Sequence, residues 1–245
     1  MSLTIVTGAS SGMGRDIALS LVAAGQRVLA VGRRKGALEE TASLSADPAL
    51  VLIATGDLSV AADVEAIIGS IGDQPVRAIV ATAGGQGDFK QPGGSVTAIE
   101  SAWSDALGKN LFSAVLLVEA VLPRMEEDGR IVLIGSTAGL DGQGGPYATA
   151  KAALHGYARD LARRTGPRRI TANAIAPGFV ADTEFFEAGG YGDSAKMVDH
   201  VAAQTLVGRV GKPDDITACV EWLLSPRAGW VTGQTISVNG GSLLT

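Results

Sequence analysis

Residues that bind metals or form disulfides are scarce in this sequence. Its 245 residues include one cysteine and two histidines. A single cysteine excludes a disulfide within the chain, and two histidines far apart do not make a recognisable metal cluster. Cys219 lies in an apolar helical pattern, which favours a small core residue over a nucleophile. We therefore predict no metal site.

Positive charge is also in short supply. The chain has 20 Lys and Arg residues against 25 Asp and Glu residues, which gives a formal net charge of −5. Binding to nucleic acid is driven by a basic surface, so this composition argues against a nucleic-acid partner.

A long hydrophobic run is missing as well. The most apolar stretch, residues 111–122, contains Glu119 and is too short to cross a bilayer. The N-terminus has no basic segment of the kind that starts a signal peptide, and it leads directly into a short apolar run. We therefore expect a cytoplasmic protein with no membrane partner.

Apolar residues and glycines are what the chain has in quantity. Hydrophobic residues make up 46% and charged residues 18%, which is typical of a well-buried globular protein. Short apolar runs alternate with helical patterns, and they lie at residues 3–7, 27–31, 51–54, 77–82, 130–134, 170–175 and 234–238. This alternation predicts an α/β fold with a parallel, doubly wound sheet and helices on both faces. Because no linker interrupts it, residues 1–245 are predicted to form a single domain.

A glycine-rich turn follows the first strand and opens the first helix. It consists of Gly8, Ala9, Ser10, Ser11, Gly12, Met13 and Gly14. Such a turn offers backbone N–H groups and a helix N-terminus to an anion, typically the pyrophosphate of a dinucleotide. We expect Gly8 to make the tight turn, Gly12 to admit the phosphates and Gly14 to let the helix lie close to the strand. The spacing is G-x-x-x-G-x-G rather than G-x-G-x-x-G.

Basic residues follow the second strand, where an NAD-binding site would carry a carboxylate. Gly32 is followed by Arg33 and Arg34. A guanidinium can hold a 2′-phosphate through paired hydrogen bonds, whereas a carboxylate would repel it. We predict NADP(H) rather than NAD(H), with Arg33 as the main clamp and Arg34 assisting. The alternative interpretation is a solvated basic turn.

The next two strand ends are also candidates for cofactor contacts. Asp57 and Leu58 follow the third strand and are predicted to border the adenine, although an Asp here equally suits a turn or a helix cap. Ala83, Gly84 and Gly85 follow the fourth strand, where backbone without a side chain gives the cofactor room.

A tyrosine and a lysine four residues apart begin a later helix. Tyr147 and Lys151 lie on one helical face, a single turn from each other. We expect the ammonium to stabilise the phenolate by up to ~4 kcal/mol and to bring the tyrosine pKa near neutrality, as acid–base catalysis requires. Taken alone, the pair is better explained as a packed ring beside a solvated charge.

Two irregular segments remain. Asn110 lies inside a helical pattern over residues 99–122 despite its propensity cost, so it is either a tolerated kink or a positioned polar group. Residues 182–206 contain aromatic side chains flanked by glycines. That pattern suits a mobile lid over an apolar substrate pocket, and it suits ordinary helical packing equally well.

Taken in order, these motifs resemble the short-chain dehydrogenases/reductases over nearly the whole chain. Residues 7–14 are similar to the family's cofactor turn, and Tyr147 with Lys151 is similar to its active site. The resemblance implies that Ser136 is the catalytic serine and Asn110 the catalytic asparagine. It assigns the nicotinamide-binding segment to Pro177, Gly178, Val180 and Thr183.

The resemblance also implies a chemistry and an assembly. The fold would be a seven-stranded Rossmann sheet, and the protein a homo-oligomer, a tetramer or a dimer. Hydride would pass between the nicotinamide and a carbonyl carbon, with Tyr147 giving the proton and Ser136 hydrogen-bonding the same oxygen. Lys151 would lower the tyrosine pKa and bind the nicotinamide ribose, and Asn110 would hold a water near it. With NADP(H), reduction is the expected direction.

The sequence departs from the family pattern at two places. The family commonly has Asn-Asn-Ala-Gly after the fourth strand, whereas this chain has Ala81, Thr82, Ala83 and Gly84, which keeps one hydroxyl and loses two amides. The interval from Ser136 to Tyr147 is eleven residues, slightly short for the family. We expect the shorter interval to open the substrate side of the pocket.

Other functions are compatible with parts of this pattern. A sugar-nucleotide epimerase or dehydratase shares the tyrosine–lysine pair, but usually has a longer C-terminal substrate domain. An NADP(H)-sensing regulator need not keep the four catalytic residue types, and a methyltransferase-like nucleotide binder would not need the basic pair. The substrate is predicted to be a ketone or a 3-oxoacyl thioester. An acyl carrier protein could dock on the basic residues Arg163, Arg164, Arg168 and Arg169, although Glu126, Glu127 and Asp128 nearby would repel it.

Overall fold

The computed structural model describes residues 2–85, 93–181, 183 and 195–245. Its strands are β1 (Leu3–Thr7), β2 (Arg27–Gly32), β3 (Val51–Thr55), β4 (Val76–Ala81), β5 (Met125–Ile134), β6 (Thr171–Pro177) and β7 (Thr235–Val238). They form one seven-stranded sheet in the order β3-β2-β1-β4-β5-β6-β7, and every pairing is parallel. The strand order changes direction between β1 and β4, which opens a crevice at their carboxyl ends. The predicted doubly wound Rossmann sheet is confirmed.

Helices cover both faces of the sheet. They are α1 (Gly12–Ala23), α2 (Lys35–Leu44), α3 (Ala61–Ser70), α4 (Val96–Leu107), α5 (Ser113–Val121), α6 (Ala138–Asp141), α7 (Gly145–Thr165), α8 (Ala195–Ala202) and α9 (Pro213–Leu224). One apolar cluster joins α1, α2 and α9 to the sheet, and a second joins α3, α5 and α7 to its other face. Because both faces are covered, β1 is buried at every residue, which explains its continuous apolar run.

The fifth strand is longer than the predicted residues 130–134. It begins at Met125, which pairs with Val76 before the ladder shifts to the pairing of Ala78 with Arg130. The shift is accommodated by Asp128, whose φ of 56° lies in the left-handed region. Glu126, Glu127 and Asp128, which precede the predicted strand at residues 130–134, therefore lie within β5.

The helix at residues 96–124 is also longer than predicted. A π-helical segment, Gly108–Phe112, joins α4 to α5, and the continuous stretch Val96–Arg124 is long and apolar enough to cross a membrane by length and composition. The prediction that the apolar helix at residues 111–122 is too short to cross a bilayer was therefore wrong, because those residues belong to this longer helix. The inner face of α5 (Ala114, Leu117, Val118, Val121) is buried in the core, which is the packing of a core helix.

The predicted lid falls mainly outside the described residues. Of residues 182–206, positions 182 and 184–194 lie outside them. Thr183 is buried, and α8 occupies Ala195–Ala202. The lid stays a prediction.

Candidate active site

The glycine-rich turn has the geometry expected of its three glycines. Gly8 and Gly12 have φ angles of +65° and +51°, which side chains rarely adopt. A Cβ at Gly14 would lie 2.3 Å from the carbonyl oxygen of Gly8, so α1 approaches the end of β1 too closely for any side chain. The turn thus leads directly into α1, whose N-terminal N–H groups favour an anion.

Replacing Gly14 by alanine should disrupt this close approach. The added methyl group would have to displace α1 or the turn, and we expect the free energy of unfolding to fall by about 2–3 kcal/mol. Urea denaturation measures the change. Gly36→Ala is the matched control, because nothing lies within 4 Å of a Cβ at Gly36 in α2. Equal denaturation midpoints for the two variants would contradict the prediction.

Two exposed arginines border the turn. Arg34 donates to the hydroxyls of Ser11 (3.2 Å) and Ser10 (3.4 Å), so it is this arginine that contacts the glycine turn. Arg33 contributes to lowering the pKa of Asp57 through its charge, after the stronger effect of the hydrogen bonds from Ser59. Both guanidiniums therefore lie beside the glycine turn, where a 2′-phosphate was predicted to bind.

Asp57 is primarily a turn residue. Its Oδ1 accepts hydrogen bonds from the Ser59 hydroxyl (2.6 Å) and the Ser59 amide (2.9 Å). These bonds are the main reason that its pKa lies below the ordinary value. Leu58 beside it is buried.

The glycine turn, the two arginines, Asp57 and Leu58 line one cleft of about 480 Å³ at the carboxyl ends of β1 to β4. Of the predicted cofactor-binding residues, the cleft is lined by Gly8, Ser10, Ser11, Gly12, Met13, Gly14, Arg33, Arg34, Asp57, Leu58, Ala83, Gly84 and Thr183. Gly85, whose backbone was also expected to give the cofactor room, lines the cleft as well. The sequence analysis missed Gly32, Gly56, Thr82, Lys109 and Ser113. Gly32 ends β2, Gly56 directly follows β3 and Thr82 directly follows β4, and this position at a strand end is a signal that could have found them. Lys109 and Ser113 are brought in by the π-helical segment.

A threonine replaces the amides that the family commonly has at the end of β4. The hydroxyl of Thr7 accepts hydrogen bonds from the amides of Ala83 (2.8 Å) and Thr82 (3.0 Å), which ties the ends of β1 and β4 together. The Thr82 hydroxyl is buried and has no partner among the described residues. A buried polar atom without a partner is costly, so this hydroxyl on the cleft wall indicates a place for a polar ligand atom.

Tyr147, Ser136 and Lys151 come together at the start of α7. The phenol of Tyr147 and the hydroxyl of Ser136 are hydrogen-bonded to each other. Lys151 Nζ lies 5.9 Å from the centre of the tyrosine ring and donates to the carbonyl oxygen of Ile134 at 2.9 Å. Tyr147 and Lys151 are almost completely buried, with 5% and 3% exposure. The strand end and the helix therefore hold three of the four predicted catalytic groups in one place.

Burial sets the pKa values of this pair. It raises the pKa of Tyr147 to about 12, against a smaller lowering effect of the Ser136 hydrogen bond. Burial also lowers the pKa of Lys151 to about 8. The prediction that Lys151 brings the tyrosine pKa near neutrality is therefore wrong for this structure. The desolvation of a buried phenolate is the dominant effect on the tyrosine pKa, and the Lys151 ammonium is directed at the Ile134 carbonyl.

Asn110 is a positioned polar group in the π-helical segment. Its Nδ2 donates to the carbonyl oxygens of Gly85 (3.0 Å) and Ala106 (3.2 Å), and its Oδ1 accepts from the Gly85 amide (3.1 Å). A Cβ at Gly84 would lie 2.9 Å from Asn110 Oδ1 and 3.2 Å from Lys151 Nζ. Asn110 and Lys151 therefore border the same glycine, whose lack of a side chain leaves room for both.

The predicted nicotinamide segment is only partly in the cleft. Thr183 donates to the carbonyl oxygen of Val180 (3.2 Å), and its methyl group would lie 3.3 Å from a Cβ at Gly12. Pro177 ends β6, and Gly178 packs against Asn239, so both lie beside the cleft rather than on its wall.

The basic residues on which an acyl carrier protein was predicted to dock lie at the far end of α7 and just beyond it. Arg163 follows Tyr147 by sixteen residues, which is about 24 Å along a helix. Arg164 pairs with Glu119 and Asp160, and Arg169 pairs with Glu127 and Asp128. Ion pairs with acidic residues thus offset the charges of Arg164 and Arg169.

Comparison with known proteins gives consistent matches. The sequence profile of a family described as enoyl-(acyl carrier protein) reductase matches residues 8–242. The chain is 37% identical to the 3-oxoacyl-(acyl-carrier-protein) reductase of Pseudomonas aeruginosa, over 99% of this chain and 98% of that protein. The corresponding Escherichia coli protein is 36% identical, over 98% of this chain and 96% of that protein.

Solved structures agree with these sequence matches. A short-chain dehydrogenase/reductase of the glucose/ribitol dehydrogenase type from Brucella melitensis has a TM-score of 0.89 and 27% identity, covering 100% of this chain and 97% of its own. A variant of actinorhodin polyketide ketoreductase with NADPH has a TM-score of 0.83 and 28% identity, covering 98% and 97%. With its fold, its buried tyrosine–lysine pair and these matches, the chain belongs to the short-chain dehydrogenase/reductase family of oxidoreductases.

Proposed function

We propose that this protein is an NADPH-dependent carbonyl reductase in which Tyr147 is the proton donor. The observation that carries the proposal is the buried cluster of Tyr147, Ser136 and Lys151 beside the cleft. A phenol whose pKa is raised to about 12 is protonated at neutral pH, which is the form that a reduction needs.

The cleft fits a dinucleotide phosphate. The glycine turn offers backbone N–H groups, the Thr82 hydroxyl lacks a partner among the described residues, and Arg33 with Arg34 provides positive charge at the rim. NADPH, when bound, supplies the hydride. The related ketoreductase structure was solved with NADPH, which supports the same cofactor here.

The side chains of the chain have separate tasks in the proposed reaction. Tyr147 gives its proton to the oxygen of the substrate carbonyl, and Ser136 donates a hydrogen bond to the same oxygen as negative charge develops there. The Lys151 ammonium, held by the Ile134 carbonyl, stabilises the phenolate that remains. Asn110 fixes the backbone of Gly85 and so supports the wall beside Lys151.

The proposed substrate is a 3-oxoacyl thioester. This proposal rests on the curated relatives, whose names specify 3-oxoacyl groups carried by an acyl carrier protein. The paired arginines at the far end of α7 do not by themselves support docking of an acidic carrier. We therefore propose a thioester substrate. The experiment below decides whether coenzyme A or an acyl carrier protein carries its acyl group.

A substrate panel tests this function. NADPH oxidation is followed with acetoacetyl-coenzyme A, the same acyl group on an acyl carrier protein, and simple ketones. Turnover of the thioesters well above that of the ketones supports the proposal. Tight NADPH binding without turnover of any carbonyl would instead favour a sensor, and conversion of a sugar nucleotide without net NADPH consumption would favour an epimerase.

We also propose that the protein is a homo-oligomer. Large apolar side chains are exposed on α4, the π-helical segment and α9, at Ile99, Phe112 and Trp222. Light scattering after size exclusion gives the mass directly, and a mass of one chain at micromolar concentration would contradict the proposal.

Reversing the charge at Arg33 should change the cofactor preference. Arg33→Asp places a carboxylate where a 2′-phosphate is proposed to bind, so we expect kcat/KM for NADPH to fall about 100-fold and that for NADH to stay equal or rise. Steady-state kinetics with both cofactors measure the ratio. Lys35→Asp is the control, because it makes the same charge change two residues away, outside the cleft lining. An unchanged ratio in Arg33→Asp would refute the assignment.

The pH dependence should differ between the two reaction directions. Reduction requires a protonated Tyr147 and a charged Lys151, so kcat/KM should be flat up to pH about 8 and fall as the lysine loses its proton. Alcohol oxidation requires the phenolate and should keep rising with pH. Lys151→Arg keeps its charge, so an active variant should lose the alkaline fall. A fall at the same pH in that variant would assign it to another group.

A further inference from the structure

A second titratable side chain lies buried behind the catalytic groups. His155 is one helical turn beyond Lys151 on the same side of α7, and it is only 4% exposed. Its Nε2 atom is buried and has no hydrogen-bond partner among the described residues. The proposed mechanism does not use it, so the presence of a polar ring at this position needs another explanation.

The imidazole fills the space beside Gly135. A Cβ at Gly135 would lie 2.5 Å from His155 Nε2 and 3.1 Å from His155 Cδ2. No real Cβ tolerates the shorter distance, so the backbone of Gly135 lies directly against the ring. The ring thus takes the place of a side chain at the end of β5.

Gly135 connects the two backbone elements on which the catalytic cluster depends. The residue before it, Ile134, provides the carbonyl oxygen that accepts from Lys151. The residue after it, Ser136, is hydrogen-bonded to Tyr147. A shift of Gly135 would therefore move both Ser136 and the partner of Lys151 relative to α7.

The rest of this segment is also fixed from both sides. The Gly135 amide donates to Ile175 in β6 at 2.7 Å, and the Thr137 amide donates to Pro177 at 3.0 Å. On the α7 side, a Cβ at Gly139 would lie 2.6 Å from the Ala152 amide nitrogen. The segment after β5 therefore contacts α7 at two points, Gly135 against His155 and Gly139 against Ala152.

We propose that His155 is a positioning residue for catalysis. Its ring sets the distance between α7 and the backbone at residues 134–136, and thereby holds Ser136 and the Ile134 carbonyl in register with Tyr147 and Lys151. The expected effect on kcat rests on the proposed reductase function, whereas the contact between His155 and Gly135 does not depend on that function.

The ring is suited to this place because it is neutral. Burial lowers the pKa of His155, and the charges of Arg159 and Lys151 lower it further. A neutral imidazole gives the volume of a ring without adding a second cation beside the buried ammonium. Its effect on Lys151 is therefore exerted through the position of the Ile134 carbonyl.

Kinetics of two His155 variants test the proposal. In His155→Ala, kcat for reduction should fall about 10- to 100-fold, because small displacements of catalytic groups have effects of this size, while KM for NADPH stays within about twofold. In His155→Gln, whose terminal atoms reach the place of Nε2, most of kcat should be kept. Leu161→Ala is the control, since it removes a fully buried side chain from the same helix away from Gly135. It should reduce stability without the selective loss of kcat.

A second-site experiment tests the contact directly. Gly135→Ala should be nearly inactive, because its methyl group would overlap the ring. The double variant Gly135→Ala with His155→Ala should recover at least about 10-fold in kcat, although the 3.0 Å approach of this Cβ to the Ile175 carbonyl limits the recovery. A double variant no more active than Gly135→Ala alone would overturn the proposal.

Hydrogen exchange of the protein without substrate keeps this test independent of the reaction. The amides of residues 135–141 should exchange faster in His155→Ala than in the wild type and in His155→Gln. Equal exchange together with unchanged kcat in His155→Ala would refute the positioning role. If the wild type reduces no carbonyl while exchange still accelerates, the proposed function fails and the positioning contact stands.

Discussion

Tyr147→Phe should lower kcat for carbonyl reduction about 1,000-fold, the middle of the range of about 100- to 10,000-fold for loss of a positioned acid. The phenol is the group in the cluster that is both protonated at neutral pH and hydrogen-bonded to Ser136. Phenylalanine keeps the ring, so the packing at the start of α7 should persist. Binding of NADPH, measured by fluorescence titration, should change by less than about threefold.

Tyr157→Phe is the matched control for this experiment. Tyr157 lies on the same helix, is partly buried, and donates its hydroxyl hydrogen to Glu119 at 2.8 Å, far from the cleft. Its replacement should leave kcat nearly unchanged. If Tyr147→Phe keeps more than about a tenth of the wild-type kcat, another acid supplies the proton and the proposed mechanism is wrong.

Lys151→Met should also abolish most activity, but with a different effect on stability. Without the ammonium, the phenolate loses the positive charge that stabilises it after proton transfer, and kcat should fall at least about 100-fold. The lysine, however, costs the folded protein free energy. Lowering its pKa from 10.5 to about 8 corresponds to roughly 3 kcal/mol at neutral pH.

Removal of this cost should be visible in denaturation. Methionine has a similar volume and no charge, although the Ile134 carbonyl then loses its donor at a cost of about 1–3 kcal/mol. We expect Lys151→Met to be as stable as the wild type at pH 7, or up to about 2 kcal/mol more stable. A variant destabilised by more than about 1 kcal/mol would contradict the assignment of a strained, buried charge.

The sign of the pH effect provides a further check on Lys151. Between pH 8 and about 10.5 the unfolded chain binds a proton at this residue that the folded protein has released, so wild-type stability gains with rising pH. The variant lacks this gain. The stability difference between Lys151→Met and the wild type should therefore shift in favour of the wild type across that range, and a constant difference would refute the lowered lysine pKa.

Much of the fold and of the site followed from local patterns. The glycine turn was predictable because each glycine has a steric reason that appears in the spacing, as the contact between Gly14 and Gly8 shows. The pairing of Tyr147 with Lys151 depends only on helical geometry. Their meeting with Ser136 required the family resemblance, since it depends on how the segment between β5 and α7 folds back against the start of α7.

The electrostatics could not be predicted in the same way. The pKa of Tyr147 depends on how completely the surrounding chain excludes water, and that burial reverses the direction expected from the lysine alone. Glu119, which pairs with Arg164, and the acidic partners of Arg169 lie more than forty residues away in the sequence, so these ion pairs were equally hidden. The space beside Gly135 is likewise a property of two distant segments.

The π-helical segment, Gly108–Phe112, has a consequence for how this region is compared with other sequences. One additional residue in a helical turn rotates everything after it by about 100° relative to an uninterrupted α-helix. The inward-facing positions of α4, such as Ala106, and those of α5 therefore do not share a single periodicity. A one-residue deletion that restored regular α-helix here would turn either Asn110 away from Gly85 or the apolar side of α5 towards water.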